Sequence, residues 1–291
     1  MKKAIILISI LIAIFLAVFL LFFANKNTRS SFIIDAYELP SVLHEVSSIS
    51  YIGDDKIACI QDELGTIFIY DLKARKIINE IDFALPGDYE GIEYVNEKFY
   101  ILRSDGVLYE IQNSKINPQV AEYNLDLFAK NNEGLTYDRE GNRLLISTKS
   151  KVAPGKEAKN ERHIYAFDLT KKEIGKTPVI TMNLDDVETY INNNEVDLES
   201  KNDKAKKILK FRPSGIAMHP INKRLYIVSA IDNLVISTDL KGTILTIHQL
   251  DISIFNKPEG IDFYENGDAL ISNEGGNGNP TLLKLKIENL N

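Results

Sequence analysis

The chain has 291 residues, with 34 basic and 41 acidic side chains, one cysteine and no tryptophan. Beyond residue 29 the balance is 30 basic against 41 acidic, a net of −11, which argues against nucleic acid or anionic lipid headgroups as main partners. Cys59 alone allows no internal disulfide, so residues 30–291 must be stabilised by a core, and they are numerous enough for one large domain.

Lys2 and Lys3 open the chain, and Ala4 to Ala24 follow with only Ser9 polar. At about 1.5 Å per residue this run spans roughly 30 Å, the thickness of a bilayer core. A cleaved signal needs small residues at its end, and Phe22 and Phe23 stand there instead. The expectation is an uncleaved transmembrane helix over residues 4–24, within an anchor and linker of residues 1–29. Lys2 and Lys3 favour a cytoplasmic N-terminus, although Lys26 and Arg29 blunt the bias. The remainder then lies outside the cytoplasm.

A β-rich run, Phe32 to Leu39, comes next. After it one phrase recurs five times: a small residue, an aliphatic, any residue, then a large apolar or aromatic one. The copies are Ser48-Ile49-Ser50-Tyr51, Gly91-Ile92-Glu93-Tyr94, Gly134-Leu135-Thr136-Tyr137, Gly215-Ile216-Ala217-Met218 and Gly260-Ile261-Asp262-Phe263, at spacings of 43, 43, 81 and 45. A fixed period near this length signals a repeat architecture. Each repeat reads as four short strands, rich in Ile, Val, Leu, Phe and Tyr and separated by turns such as Asp105-Gly106 and Asn266-Gly267. The fifth repeat lacks a fourth strand, and Phe32 to Leu39 can supply it, closing the ring and removing its open edges. The predicted fold is an all-β, five-bladed β-propeller over residues 30–291. The 81-residue gap leaves a six-bladed alternative, but residues 184–210, with Asn192-Asn193-Asn194 and alternating charges, read better as an insert, helical from about Lys204 to Leu209.

The ordered phrases Val46-Ser47-Ser48-Ile49, Tyr89-Glu90-Gly91-Ile92, Asn132-Glu133-Gly134-Leu135, Pro213-Ser214-Gly215-Ile216 and Pro258-Glu259-Gly260-Ile261 resemble the SdiA-regulated (YjiK-like) family of bacterial envelope proteins. The resemblance covers roughly residues 40–287 and implies a β-propeller behind a single membrane anchor. It implies no activity, and this chain departs from the pattern by its long insert.

In a propeller the first strand of each blade lines the channel. This places Glu90, Glu133 and Glu259 around one rim, with Ser47 and Ser214 at equivalent positions. The loops after the second strands add Asp62, Glu63, Asp105, Lys149, Asp232, Asn273 and Glu274. Both long insertions, Ser150 to Asn160 and Leu184 to Lys210, fall on this face, and long loops gathered on one face mark a binding surface. One reading is a carboxylate ring holding a hard cation such as Ca²⁺, which takes six to eight oxygens. The other is structural: the glutamates cap backbone N–H groups of neighbouring blades, and the glycines relieve crowding at the axis. Three carboxylates sharing one channel repel unless something cationic or protonated relieves them. The four histidines lack metal-ligand spacing, and Gly275 to Asn279 lacks the Lys and Ser/Thr of a phosphate loop. Function is expected to be binding of a small ligand, a cation or an envelope protein. The alternative is a metal-dependent hydrolase of a phosphoester, lactone or glycoside.

Overall fold

The computed structural model describes residues 32–112, 117–150, 152, 157–196, 198 and 209–287. Their strands form five antiparallel sheets, and the fold is a five-bladed β-propeller. Blade 1 runs through Val46–Gly53, Lys56–Gln61, Thr66–Asp71 and Lys76–Asp82. Blade 2 is Tyr89–Val95, Lys98–Arg103, Val107–Gln112 and Gln119–Asn124. Blade 3 is Asn132–Asp138, Arg143–Thr148, Glu161–Asp168 and Ile180–Asn183, with the short strand Glu173–Ile174 also on its third strand. Blade 4 is Gly215–Met218, Leu225–Ser229, Leu234–Thr238 and Ile244–Gln249. Blade 5 contains Pro258–Phe263, Ala269–Asn273 and Thr281–Leu285.

The ring closes as expected. Ile33–Glu38 pairs antiparallel with Thr281–Leu285, from Ile33 opposite Leu285 to Glu38 opposite Thr281. Each apolar cluster lies mainly between two neighbouring blades. Ile60, Ile67 and Phe83 of blade 1 and its outgoing loop meet Ile92, Phe99 and Ile101 of blade 2. Leu43, Ile49 and Phe68 meet Tyr264, Leu270 and Leu282 across the closure. At roughly 1.5–3 kcal/mol per fully buried large apolar side chain, these seams supply the cohesion that disulfides do not.

At the axis the inner strands touch too closely for side chains. A Cβ on Gly215 would fall 2.3 Å from the carbonyl oxygen of Glu259, and one on Gly91 would fall 2.7 Å from Cβ of Leu135. Glycine in the phrase therefore answers crowding.

The long gap is filled without a sixth blade among the described residues. Helix α1, Leu184–Asn193, begins directly after the outer strand of blade 3. Asn183 caps it by accepting from the Asp185 N–H at 3.0 Å, and Asp185 and Asp186 complement the N-terminal end of its dipole. Val187 and Ile191, four residues apart, bury one face into the seam between blades 3 and 4. The helix expected from about Lys204 falls on residues 204–208, which lie outside the described residues, as does the apolar run 4–24. Among the described residues, no helix is long and apolar enough to cross a membrane.

Candidate functional site

The antiparallel register sorts the loops onto two faces. Val46 opposes Gln61, Tyr89 opposes Arg103, and Asn132 opposes Thr148. The starts of the inner strands and the loops after the second strands therefore share one face, which also carries both insertions: the insert face. The opposite, hairpin face carries the turns between first and second strands.

At the insert face, Lys149 is the centre of the acidic cluster. Its Nζ lies 2.5 Å from Oε2 of Glu133, which is only 1 % exposed. Burial works against the charged form of Lys149, but Glu133, Glu259 and Glu90 outweigh it and hold its pKa above the usual value. Lys257 is 2.6 Å from Glu274 and 3.4 Å from Glu259. Its pKa is likewise raised, because these carboxylates exceed the effect of burial. Burial, then the charge of Glu133, pushes Glu90 up to about 9. Burial pushes Glu259 up to about 7, against the opposing charge of Lys149. Near neutral pH the mouth thus holds two charged lysines among carboxyl groups that are partly protonated. Beside them a cavity of about 610 Å³ is lined by Lys149, Arg212, Lys257, Asn256, Ile231 and Asn277, among others.

Arg212 reaches this cavity through the second insertion. Arg162, 5 % exposed, donates from Nε to the Phe211 carbonyl at 2.8 Å and from Nη2 to the Lys210 carbonyl at 2.9 Å. It also donates from Nη1 to the carbonyls of Lys159 and Glu161, tying the two insertions together. Asp232 accepts from the Phe211 N–H at 2.7 Å. Phe211 is fully buried in a left-handed conformation, φ +28°. This clamp fixes the backbone immediately before Arg212.

Of the residues expected at the rim, Glu90, Glu133, Glu259, Lys149 and Glu274 are brought together. Ser47 and Ser214 are buried clasps between blades, donating to the carbonyls of Tyr89 at 2.7 Å and Pro258 at 2.9 Å. Asp232 belongs to the clamp, and Asn273 donates to Thr281 Oγ1 at 3.1 Å within its blade. Asp105 is held by Arg103 at 2.9 Å, and Glu63 is exposed. Asp62 is pushed up to about 6 by burial and then by the charges of Glu45 and Glu274. An ammonium group stands among the glutamates, and among the described residues no three His, Cys, Asp or Glu side chains are grouped to hold a metal ion. Cys59 is buried and its thiol pKa is raised by burial, as expected of inert core.

The capping expected of the glutamates falls to the third position of the phrase instead. Ser50 Oγ accepts from the Tyr94 N–H at 3.0 Å, and Glu93 Oε2 from the Tyr137 N–H at 3.0 Å. Thr136 Oγ1 accepts from the Met218 N–H at 3.0 Å, and Asp262 Oδ2 from the Tyr51 N–H at 2.5 Å. Each side chain thus bonds the backbone of the next blade, the last one closing the ring. Ala217 breaks the belt, and the Phe263 N–H turns to Oδ1 of Asp262 at 2.8 Å. Reading this position as "any residue" missed the belt, although four of its five occupants are polar. Lys257 and Arg212 were also missed. Their signal was a shared basic residue and proline, in Arg212-Pro213-Ser214-Gly215 and Lys257-Pro258-Glu259-Gly260.

Among solved structures, the fold is similar to glutaminyl cyclase from Myxococcus xanthus, at 12 % identity and a TM-score of 0.56, over 87 % of this chain and 94 % of that one. It is also similar to the PQQ-bound aldose sugar dehydrogenase from Streptomyces coelicolor, at 12 % identity and a TM-score of 0.52, over 87 % and 97 %. At such identities the likeness extends to the fold alone. No curated protein sequence matches the chain. Residues 25–160, from ahead of the closing strand into blade 3, match the model of the SdiA-regulated family.

Proposed function

We propose that this protein is a membrane-anchored, extracytoplasmic binding module that takes a small anionic ligand at the insert-face mouth of its channel. One observation carries the reading: Lys149, Lys257 and Arg212 line a single cavity whose neighbouring glutamates are pushed toward their neutral forms. Three cationic donors facing partly discharged carboxyl groups leave a surplus of positive charge, which favours a carboxylate- or phosphate-bearing ligand. Asn256 and Asn277 add polar contacts, and Ile231 offers apolar surface for a carbon skeleton. The apolar run of residues 4–24 supports the anchor, and the orientation follows from Lys2 and Lys3.

The test is calorimetric titration of the full-length chain, in non-ionic detergent, with inorganic phosphate and with citrate. Saturable binding that Lys149→Met weakens by about tenfold or more supports the reading, since a charge-assisted hydrogen bond is worth about 1.5–3 kcal/mol. Absence of saturation with both probes, or unchanged affinity in Lys149→Met, contradicts it.

Hydrolysis is a second reading, favoured by the pKa of Glu259 at about 7, where a carboxyl group can serve as acid or base near neutral pH. It predicts turnover of a phosphoester, lactone or glycoside that Glu259→Gln abolishes while anion binding persists.

A further inference from the structure

The hairpin face holds a second cavity of about 610 Å³, unrelated to the residues of the insert face. Glu93 and Asp262 form its acidic end, and Tyr51, Tyr94, Tyr137 and Phe263 stand around it. These rings are the fourth phrase residue of four blades, so the repeat itself sets them about the axis.

The rings are braced from behind. Tyr51 contacts Tyr264 with centroids 4.6 Å apart, and Tyr94 contacts Phe99 at 4.8 Å. Phe263 lies 4.8 Å from the ring of His219 and 5.1 Å from that of Tyr226. Such supports hold an aromatic wall in place before anything binds, which reduces the ordering cost of binding.

The two carboxylates lack a counter-ion. Glu93 accepts from the backbone N–H groups of Tyr94 and Tyr137 and from the Ser50 hydroxyl. Asp262 accepts from those of Tyr51 and Phe263. Among the described residues neither forms an ion pair, unlike Glu133 and Glu259 at the other mouth. Burial pushes Glu93 up to about 8, with the charge of Asp262 adding to the rise, and Asp262 up to about 6, so near neutral pH Asp262 carries the charge and a bound cation displaces the Glu93 proton, which a glutamine could not release. The basic side chains on this cavity are Arg139 and Lys223, and the ammonium of Lys223 is bonded at 2.6 Å to the Pro220 carbonyl. A carboxylate has about four acceptor positions, so capacity for a further donor remains on Asp262. Uncompensated carboxylates deep in a cavity favour an incoming cation. Aromatic walls select an organic cation over a hydrated metal ion, because ring quadrupoles attract a weakly hydrated ammonium.

We propose that this cavity binds a small organic cation, an alkylammonium head group set among Tyr51, Tyr94, Tyr137 and Phe263 and neutralised by Glu93 and Asp262. The site stands apart from the insert-face mouth, so its test does not depend on the anion reading.

The experiment is calorimetric titration of the full-length chain in non-ionic detergent with choline chloride at constant ionic strength. The comparison probe is 3,3-dimethyl-1-butanol, the neutral analogue of the same shape. The site predicts saturable choline binding at least tenfold tighter than the alcohol. It also predicts a loss of tenfold or more in Glu93→Gln and in Asp262→Asn, and no change in Lys149→Met. Equal affinity for choline and the alcohol, no saturable choline binding, or loss in Lys149→Met alone would overturn the proposal. Glu93 and Asp262 also bond neighbouring blades, so each variant is first checked for its cooperative melt. Where a variant fails to fold, the comparison of choline with the alcohol on the unaltered protein decides.

Discussion

The two mouths of the channel are built from the same five strands and concentrate the same functional group, yet they relieve its charge differently. At the insert face, Lys149 and Lys257 reach in from loops and pair with Glu133, Glu259 and Glu274. At the hairpin face, Glu93 and Asp262 are answered, among the described residues, by backbone N–H groups, hydroxyls and the proton that burial favours. The difference follows from the architecture. The insert face carries both long insertions and loops that deliver cations, whereas the hairpin turns are short and bring chiefly what the phrase encodes. One scaffold therefore offers a cationic cavity at one end and an acidic, aromatic one at the other.

The largest perturbation should strike what both mouths share. Gly215→Val forces a side chain into the 2.3 Å gap to the Glu259 carbonyl, and overpacking of this kind should cost about 3 kcal/mol or more in denaturant unfolding. A loss below about 0.5 kcal/mol would show that the inner strands can yield.

Acidity separates the mouths from the rest of the surface. Glu259 rises from 4.5 to about 7 in the folded protein, so the native state binds its proton more tightly than the unfolded chain. The stability it contributes is complete below about pH 4.5 and is lost as the pH rises through about 7. We expect Glu259 alone to lower the unfolding free energy by about 2–3 kcal/mol between pH 5 and 8, with Glu90 and Glu93 adding to the fall, and Glu259→Gln to remove its share of the slope. Carboxylates with lowered values, such as Asp105 beside Arg103, act below this window. A stability that rises over the same interval would contradict the assignment.

Arg162 tests whether the insertions shape the insert-face mouth. Arg162→Ala should cost about 2 kcal/mol, since it strands the carbonyl of buried Phe211 and removes the donor to that of Lys210. It should also weaken phosphate binding through Arg212 while leaving choline binding at the far mouth intact. Arg162→Lys should restore little, because one ammonium cannot reproduce a forked set of donors. Equal damage at both mouths would make Arg162 a general stabiliser rather than a positioning residue.

The smallest effect is expected at the clasps. Ser47→Ala removes one donor to the Tyr89 carbonyl and should lower stability by about 1 kcal/mol, with both ligand sites unaffected.

Much of this ring was legible in the repeat. The phrase, its spacing and the unmatched strand at Phe32 to Leu39 were enough for blade count and closure, because crowding at an axis demands a small residue in each blade. The sites were legible only in part. Glu90, Glu133, Glu259 and Lys149 could be placed at one rim from register alone. What register cannot show is which polar groups bond inward: Ser47 and Ser214 became clasps, and Asp232 became a clamp for an insertion far away in sequence. Helix α1 was passed over because its charges masked the spacing of Leu184, Val187 and Ile191. The belt of Ser50, Glu93, Thr136 and Asp262 was overlooked because its members differ in kind while sharing one task, accepting an N–H from the next blade.

The central claim is that the two mouths are independent and of opposite preference. Its most direct test is paired titration of the full-length chain with phosphate and choline, in the unaltered protein and in Lys149→Met and Glu93→Gln. The account predicts that Lys149→Met weakens phosphate alone and Glu93→Gln weakens choline alone, each by tenfold or more. Loss of both ligands in either folded variant, or of neither in both, would contradict it.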